Sequence, residues 1–596
     1  MVYSYSMSFV TDSKIVRLRG PVPAEIDEAL LEYSPLFRAL LYSRGITTRE
    51  AAAIYLSPDY ERDLHSPMLI EGLGRAVLRI LRAIEQKERI VVYADYDCDG
   101  IPGAVIMHDF FTLIDYDNFS VYIPHRYREG YSLNIPAIMQ FAQEDTKLII
   151  TVDAGITDHA QVARAQELGI DVIVTDHHLP HIVNGVEDLP NAYAVVNSKQ
   201  TKCTYPFQYL SGAGVAFKLV QALLEEGSFG VPKGSEKWLL DMVGLAVIAD
   251  MVPLTGENRI LAHFGLRVLR KSRRPGLLSV LRRARARQGE ITEDDVGYLI
   301  APRINAASRM GEPMRAFQLL STRDNKKGDE IADYLERLNR ERKKTVARML
   351  EVAESQAIEG NSSAVLLVGR EDWYPGVLGL VANKMAEAHL KPVFAWGMQG
   401  SPDIKGSCRS YGSVNMVLLM QEADTLARSR GEDGFTDCGG HAMAGGFSLD
   451  PKNILNLATW LNLAYLGKDR NQNPIEDEVL VDGELTLDDL NWNTYRSLES
   501  FGPFGMENER PIFLIKGAPV ERVAWFGAKE IHLRLSFQDN SGRLFSAVRF
   551  SAPLTWKEMG IVSGDIVDIV GSLEKSNFMG RSELRLRLWN LSYSNK

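Results

Sequence analysis

A chain of 596 residues is too long for a single hydrophobic core and is expected to divide into two to four domains. Its 45% hydrophobic and 24% charged residues are those of an ordinary soluble globular protein. Its net charge of −10, taken alone, argues against a nucleic-acid binder. The opening stretch MVYSYSMSFVTDSK lacks a basic segment followed by an apolar one, and no apolar run is long enough to span a bilayer. Cys98, Cys203, Cys408 and Cys438 are scattered without a CxxC pair. These features point away from a secreted, membrane-embedded, disulfide-stapled or zinc-binding protein and towards a cytoplasmic one.

Residues 1–75 are read as an N-terminal helical region. From 76 to 290, helical patterns alternate with short apolar, β-branched runs, the signature of an α/β domain with a parallel sheet. Four runs are predicted strands: RIVVYADYDCDG (89–100), KLIITVDAGI (147–156), DVIVTDHHLP (171–180) and GLAVIADMVPL (244–254). Each delivers an aspartate where the strand should stop. Ligand sites in open α/β sheets form beyond the carboxyl ends of strands, so four such ends point to one convergent site. The segment RVLRKSRRPGLLSVLRRARARQ (267–288) has many Arg and Lys and no acid. It reads either as a track for phosphates or as the solvated face of a basic helix.

Connecting helices are expected over 291–360. Apolar residues at helical spacing from Ile331 to Ala353, with a charged opposite face, predict one long helix bridging two domains. A second α/β domain follows at 361–470, opening with the strand SAVLLVG. Over 471–596 the pattern becomes all-β, with two strands around an Asp-Asn-Ser-Gly turn and Leu584, Leu586 and Leu588 alternating with Arg585 and Arg587. This predicts a small barrel of OB type. Its Trp525, Phe545 and Phe578, with Arg534 and Arg543, are either base-stacking residues or barrel core.

The chemistry concentrates in DYDCDG and TDHH. Asp95, Asp97 and Asp99 recur at period two, and on an extended backbone they share one face. Carboxylates a few ångströms apart repel by about 4 kcal/mol per pair at an effective dielectric near 20. Gathering Asp97, Asp99, Asp153, Asp176 and Asp250 therefore requires positive charge, and no Arg or Lys lies beside these segments in sequence. Divalent metal is the economical alternative. Aspartates with one histidine suit Mn²⁺ or Mg²⁺, and a pair of such ions activates water and stabilises a phosphoryl transition state. For an isolated aspartate of this kind, a helix N-cap is the competing explanation.

In order, DYDCDG, TVDAGI, TDHH and ADMVPL resemble the DHH phosphoesterase superfamily. IPHRYREGY, PRINAASRM, WYPGVLGLVANKM, KGSCRS, GGHAMAGG and PFGMENERP narrow the resemblance to its RecJ branch of single-strand-specific 5′→3′ exonucleases, over most of the chain. The resemblance implies a DHH domain at 76–290, a DHH-associated (DHHA1) domain at 361–470 and a nucleic-acid-binding OB-like domain at 471–596. It implies metal ligation by Asp97, Asp99, Asp153, His177 and Asp250, with Asp153 bridging two ions. Asp95 and Asp176 would orient those ligands, and His178 would act as a donor beside the scissile phosphate or be a satisfied buried imidazole. Arg303, Asn305 and Arg309 would hold substrate phosphates. Ser407 and Arg409, with Arg126 or Arg128, would close a pocket on a 5′ end. Gly439, Gly440 and His441 would line the nucleotide track, unless the glycines simply make a tight turn.

The implied activity is metal-dependent hydrolysis of single-stranded DNA to mononucleotides in recombination and repair, with a single-strand-binding protein or a helicase as candidate partners. Two other readings stand beside it. One is a short-oligonucleotide or cyclic-dinucleotide phosphodiesterase, whose smaller members lack the terminal barrel. The other is a non-catalytic replication scaffold, which would have lost metal ligands. Ser132, Ser308 and Glu507 stand where the family usually has glycine, and Cys98 and Pro102 also depart from its pattern.

Overall fold

The computed structural model describes residues 8–11, 14–126, 128–359, 363–412, 414–467, 477–527, 529–576 and 582–594. Among them, no helix is long and apolar enough to cross a membrane. The described residues begin not with helix but with β1 (Ser8–Thr11) and β2 (Lys14–Leu18), and helices follow from Ala24. A five-stranded parallel sheet then forms from β3 (Arg89–Ala94), β4 (Phe119–Tyr122), β5 (Thr146–Val152), β6 (Asp171–Thr175) and, after a small hairpin of β7 (His181–Val183) and β8 (Val186–Asp188), β9 (Ala194–Val196). Its order is β4-β3-β5-β6-β9. The continuous apolar runs are explained by burial on both faces. Ile90, Val92, Leu148, Ile150 and Ile173 enter one core, and Val91, Tyr93, Ile149, Val172 and Val174 the other.

One predicted strand is a helix. Residues 244–249 belong to the helix Leu240–Ala249, buried along most of its length, and Asp250 is its C-cap. The sheet's fifth strand is instead the three-residue β9. The basic segment 267–288 is mostly a solvated face: Arg267, Lys271, Arg273, Arg282, Arg285 and Arg287 are exposed, and a few of its arginines tie elements of the fold together. Arg274 is buried against Asp241 and Asp109, while Arg282 and Arg283 pair with Asp329 and Asp333 on the long helix Asn325–Glu359. That helix is about 52 Å long at 1.5 Å per residue.

A mixed sheet follows, built from β10 (Leu366–Arg370), β11 (Val393–Gly397), β12 (Ile404–Arg409), β13 (Asp437–His441) and β14 (Ala444–Leu449) in the order β10-β11-β12-β14-β13. The C-terminal strands are β15 (Asp477–Val481), β16 (Gly483–Glu484), β17 (Phe513–Phe526), β18 (His532–Gln538), β19 (Leu544–Arg549), β20 (Ile566–Ser576) and β21 (Glu583–Tyr593). The order β17-β18-β19-β21-β20, with β17 pairing again to β20, closes a five-stranded barrel. The N-terminal region docks on it: β2 pairs with β15, and Leu30, Leu40, Leu41 and Ala52 share the barrel's core.

Candidate metal centre and nucleic-acid cleft

Strands β3, β5 and β6 deliver their carboxylates in step. The backbone N–H of Asp95 donates to Val152, that of Asp153 to Thr175 and that of Asp176 to Val196, so successive strand ends lie side by side. Beyond β3 the chain does not remain extended. Asp97 Oδ1 accepts from the backbone N–H groups of Asp99 (2.7 Å) and Gly100 (3.1 Å), capping the helix Gly100–Leu113. The three aspartates are thus gathered by a turn rather than by a strand face. Pro102 sits in the first turn of that helix, where its missing N–H costs nothing.

Around His177 the separate pieces meet. Its Nε2 lies 3.2 Å from Asp153 Oδ1, 3.7 Å from Asp99 Oδ2 and 3.8 Å from Asp250 Oδ2. Potential ligand atoms of Asp99, His177 and Asp250 fall within 4.8 Å of one another, as do those of Asp153, His177 and His178, and those of Asp95, Asp97 and Asp153. Asp153 is shared by two of these groups. Asp95, expected only to orient ligands, is brought within ligand distance; Asp176 belongs to none.

Asp176 is instead fully engaged. Its Oδ2 accepts from Ile156 N–H, and its Oδ1 from the N–H groups of His177 and His178 and from His178 Nδ1 at 2.8 Å. Burial pushes Asp176 up, but the bond from His178 and both imidazoles outweigh it and hold it at about 2. Burial lowers His177 to about 3 and keeps it neutral. Burial also disfavours charge on His178, yet Asp176 raises it above the usual histidine value. The bond commits His178 Nδ1 to Asp176 and leaves Nε2 available.

Two features escaped sequence reasoning. The helix Gly212–Glu226 aims its first N–H groups, Gly212 (2.6 Å) and Ala213 (2.8 Å), at the carboxylate of Asp99. A Cβ at Gly212 would fall 2.5 Å from Asp153 Cβ, so only glycine fits. The string SGAG before an apolar helical run was the available signal. The second is Lys199, carried past the end of β9, whose charge is felt by Asp176, Asp250 and Asp153. The absence of a nearby cation in sequence did not carry over into space, and the three-residue β9 offered little to recognise.

Across the cleft, β13 brings His441 to stack on His178, with ring centroids 6.4 Å apart and 10° between planes. Gly439 and Gly440 are strand residues, not a turn. Gly440, at φ +139°, lies so close to Ala444 O that a Cβ would sit at 2.4 Å, while Gly439 faces open space. Ser407 and Arg409 lie on β12, and Arg409 donates to Ser407 Oγ at 3.1 Å. The helix Leu378–His389 abuts them at Gly379. Arg126 joins this end: it covers the Tyr96 ring at 5.0 Å and is felt by both Asp95 and Arg409. Arg128 is exposed.

The PRINAASRM residues separate. Arg309 donates to Gly376 O, in the 3₁₀ turn Pro375–Val377 before the Leu378 helix, and so approaches the Ser407 end. Arg303 is buried, donating to Glu336 (2.7 Å) and Leu299 O. Asn305 Oδ1 is buried without a hydrogen-bond partner. In the barrel, Phe545 is core, while Trp525 is half-buried beneath Lys557. Phe578 lies outside the described residues. The exposed Phe550 instead adjoins Phe526, His532 and Arg585.

This architecture has counterparts. Residues 89–247 match the DHH family N-terminal domain, 360–462 the DHHA1 domain and 481–589 the RecJ OB domain. The single-stranded-DNA-specific exonuclease RecJ of Bacillus subtilis is 34% identical over 569 residues, covering 95% of this chain and 69% of the relative. The chain belongs to the RecJ family. The RecJ of Escherichia coli is 29% identical over 598 residues, covering 95% of this chain and 98% of that one. A crystal structure of RecJ from Thermus thermophilus in complex with Mn²⁺ superposes with a TM-score of 0.77 at 28% identity, covering 96% of this chain and 78% of that one. The RecJ family frame extends over the DHH sheet, the DHHA1 sheet and the barrel alike.

Proposed function

We propose that this chain is a divalent-cation-dependent exonuclease that hydrolyses single-stranded DNA from the 5′ end to mononucleotides, serving recombination and repair. The observation that carries the reading is the meeting of an acid cluster and a cationic pocket across one cleft. Arg126, over the Tyr96 ring, links them electrostatically, its charge reaching Asp95 on one side and Arg409 on the other.

The donor set fits two dications. Asp95 Oδ1 and Asp153 Oδ1 are buried and accept no hydrogen bond, a costly state unless a cation takes them. Asp99, His177 and Asp250 would hold one ion and Asp95, Asp97 and Asp153 the other, with Asp153 Oδ1 next to the first set at 3.2 Å from His177 Nε2; mixed carboxylate and imidazole donors suit Mn²⁺ or Mg²⁺. Ions so held supply an activated water and charge neutralisation at phosphorus.

The remaining work belongs to the chain. His177, neutral through burial, offers a lone pair; Asp176 fixes the imidazole of His178, so that Nε2 can donate to the scissile phosphate. Arg126, Ser407, Arg409 and Arg309 bind the terminal 5′ phosphate through charge-assisted bonds. The wall they form sets the cut at one nucleotide from the end. Gly439, Gly440 and His441 line the path on the DHHA1 side, and the barrel face around Phe526, His532 and Phe550 receives bases by stacking.

Digestion of long single strands labelled at the 5′ or the 3′ end, with Mn²⁺ or with EDTA, tests the reading. Labelled mononucleotide should appear first from the 5′ end, and EDTA or Asp153→Ala should abolish it. Initial release from the 3′ end, or equal rates on long strands and dinucleotides, would overturn it.

A further inference from the structure

Each parallel strand end contributes one kind of chemistry to the cleft. In the order β4-β3-β5-β6-β9, the segments that follow deliver Arg126, then Asp95 to Asp99, then Asp153, then Asp176 to His178, and finally Lys199. Cations therefore stand at both flanks of a carboxylate centre. The outer flanks are four inter-strand steps apart, about 19 Å at 4.8 Å per step, room for more than one phosphate. Arg126 belongs to the proposed 5′-phosphate pocket, whereas Lys199 lies on the opposite flank, outside it.

Its position is built rather than incidental. The N–H of Asp176 donates to Val196 O, which puts the end of β9 directly beside the TDHH segment. Asn197, fully buried, then closes a turn: its Nδ2 donates to His178 O at 2.8 Å and its Oδ1 accepts from Lys199 N–H at 2.8 Å. Lys199 thus hangs from His178 through one side chain. It is half-buried, its charge reaches Asp176, Asp250, Asp153 and His441, and among the described residues no carboxylate lies within ion-pair distance of it.

We propose that Lys199 holds the phosphate that follows the scissile one on the 3′ side of the substrate strand. This rests on the function proposed above. Two dications in the acid cluster would repel an ammonium beside them, so the partner of Lys199 has to be an anion that arrives with the substrate. A strand whose 5′ phosphate sits at Arg126 and Arg409 and whose scissile phosphate sits over the cluster brings its next phosphate to the β9 flank. Lys199 then favours strands of three or more nucleotides.

The test compares wild type, Lys199→Met and Lys199→Arg on 5′-phosphorylated di- and trinucleotides. Only the trinucleotide carries the phosphate in question. In Lys199→Met, the ratio of kcat/KM on the trinucleotide to that on the dinucleotide should fall about tenfold, equivalent to about 1.4 kcal/mol, at saturating Mn²⁺; Lys199→Arg should restore it. Binding of a 5′-phosphorylated oligonucleotide in EDTA should lose about 0.7 from the slope of log affinity against log salt, one phosphate contact on a single strand. Equal losses on both substrates, no loss on either, or an unchanged salt slope would overturn the proposal. If wild type fails to release 5′ mononucleotides from long strands, the functional reading itself falls; if it releases them and only the length dependence is missing, only the role of Lys199 falls.

Discussion

At Asp99 and Asp250 the fold gathers charge that water would otherwise solvate. Asp99 is pushed up to about 7, first by burial and then by Asp97, and Asp250 to about 9, first by burial and then by Asp99 and Asp97. Both exceed the ordinary 3.8, so in the absence of metal the folded chain binds more protons than the unfolded one. The stability these protons contribute is complete below about pH 4 and is lost as pH rises through 7 and then 9. A dication replaces protons at the same oxygens, so it has less to displace at high pH. In EDTA the melting temperature should fall between pH 6 and pH 9, and Mn²⁺ should raise it more at pH 9 than at pH 6. A Mn²⁺ shift of equal size at both values would contradict this. At this scale the sequence was highly legible for which side chains converge, because four apolar runs each end in an aspartate or histidine and the fold brings those ends together. It was less legible for geometry. Asp97 binds the N–H groups of Asp99 and Gly100, so the aspartate spacing reflects a capping turn and not a pleated face.

Among elements, the helix Leu240–Ala249 shows what periodicity cannot decide. Its residues are buried on nearly every side, so the run LLDMVGLAVIA has no polar face to set a period of two against 3.6. The signal that did exist was glycine: a Cβ on Gly244 would lie 2.7 Å from the Cα of Gly265, where this helix crosses the helix Gly256–Leu269. Helix or strand, the element delivers Asp250 to the same place, and so the site survived the misreading. The loop after this helix is held from afar, since Leu254 N–H donates to Met506 O in the PFGMENERP segment. Two of the departures from the family pattern now have a physical cost. Ser132 adopts φ +67° and Glu507 φ +58°, both in the left-handed region where glycine is at ease. Ser132 is compensated by a hydrogen bond from its hydroxyl to Asp158, whereas Glu507 is exposed. Relief of roughly 1–2 kcal/mol of backbone strain, less the entropy cost of glycine, leaves a gain of about 0.5–1 kcal/mol for Glu507→Gly. Denaturant melts of the two proteins should show it, and a destabilised variant would refute it. Ser308, by contrast, is buried in a regular helix with its hydroxyl on Asn305 O, and needs no such relief.

Over the whole molecule, neither the net charge nor the basic segment 267–288 marks the cleft described above. Within that segment Arg274, Arg282 and Arg283 bind helices together while Arg267, Lys271, Arg273, Arg285 and Arg287 stay exposed, and the cations around the cleft come singly from the segments after β4 and β9, from β12 and from the helix Ala301–Met310. Only the folded chain brings them together, which is why Arg126 and Arg409 could be suggested from motif strings while Lys199 could not. The barrel is fastened to the DHH domain rather than tethered to it: Arg259 stacks on Tyr55 at 3.7 Å and donates to Ser500 O and Gly502 O, and Arg510 pairs with Glu293 at 2.7 Å. The cleft between the parallel sheet and β13 is therefore a property of the assembled chain, and the two-ion centre is the claim on which its chemistry depends. Titration of the full chain with Mn²⁺, followed by electron paramagnetic resonance, addresses that claim most directly. Two ions per chain with spins coupled to one another, reduced to one or none by Asp153→Ala, is the expected result; a single isolated ion, or the same two ions in Asp153→Ala, would contradict it.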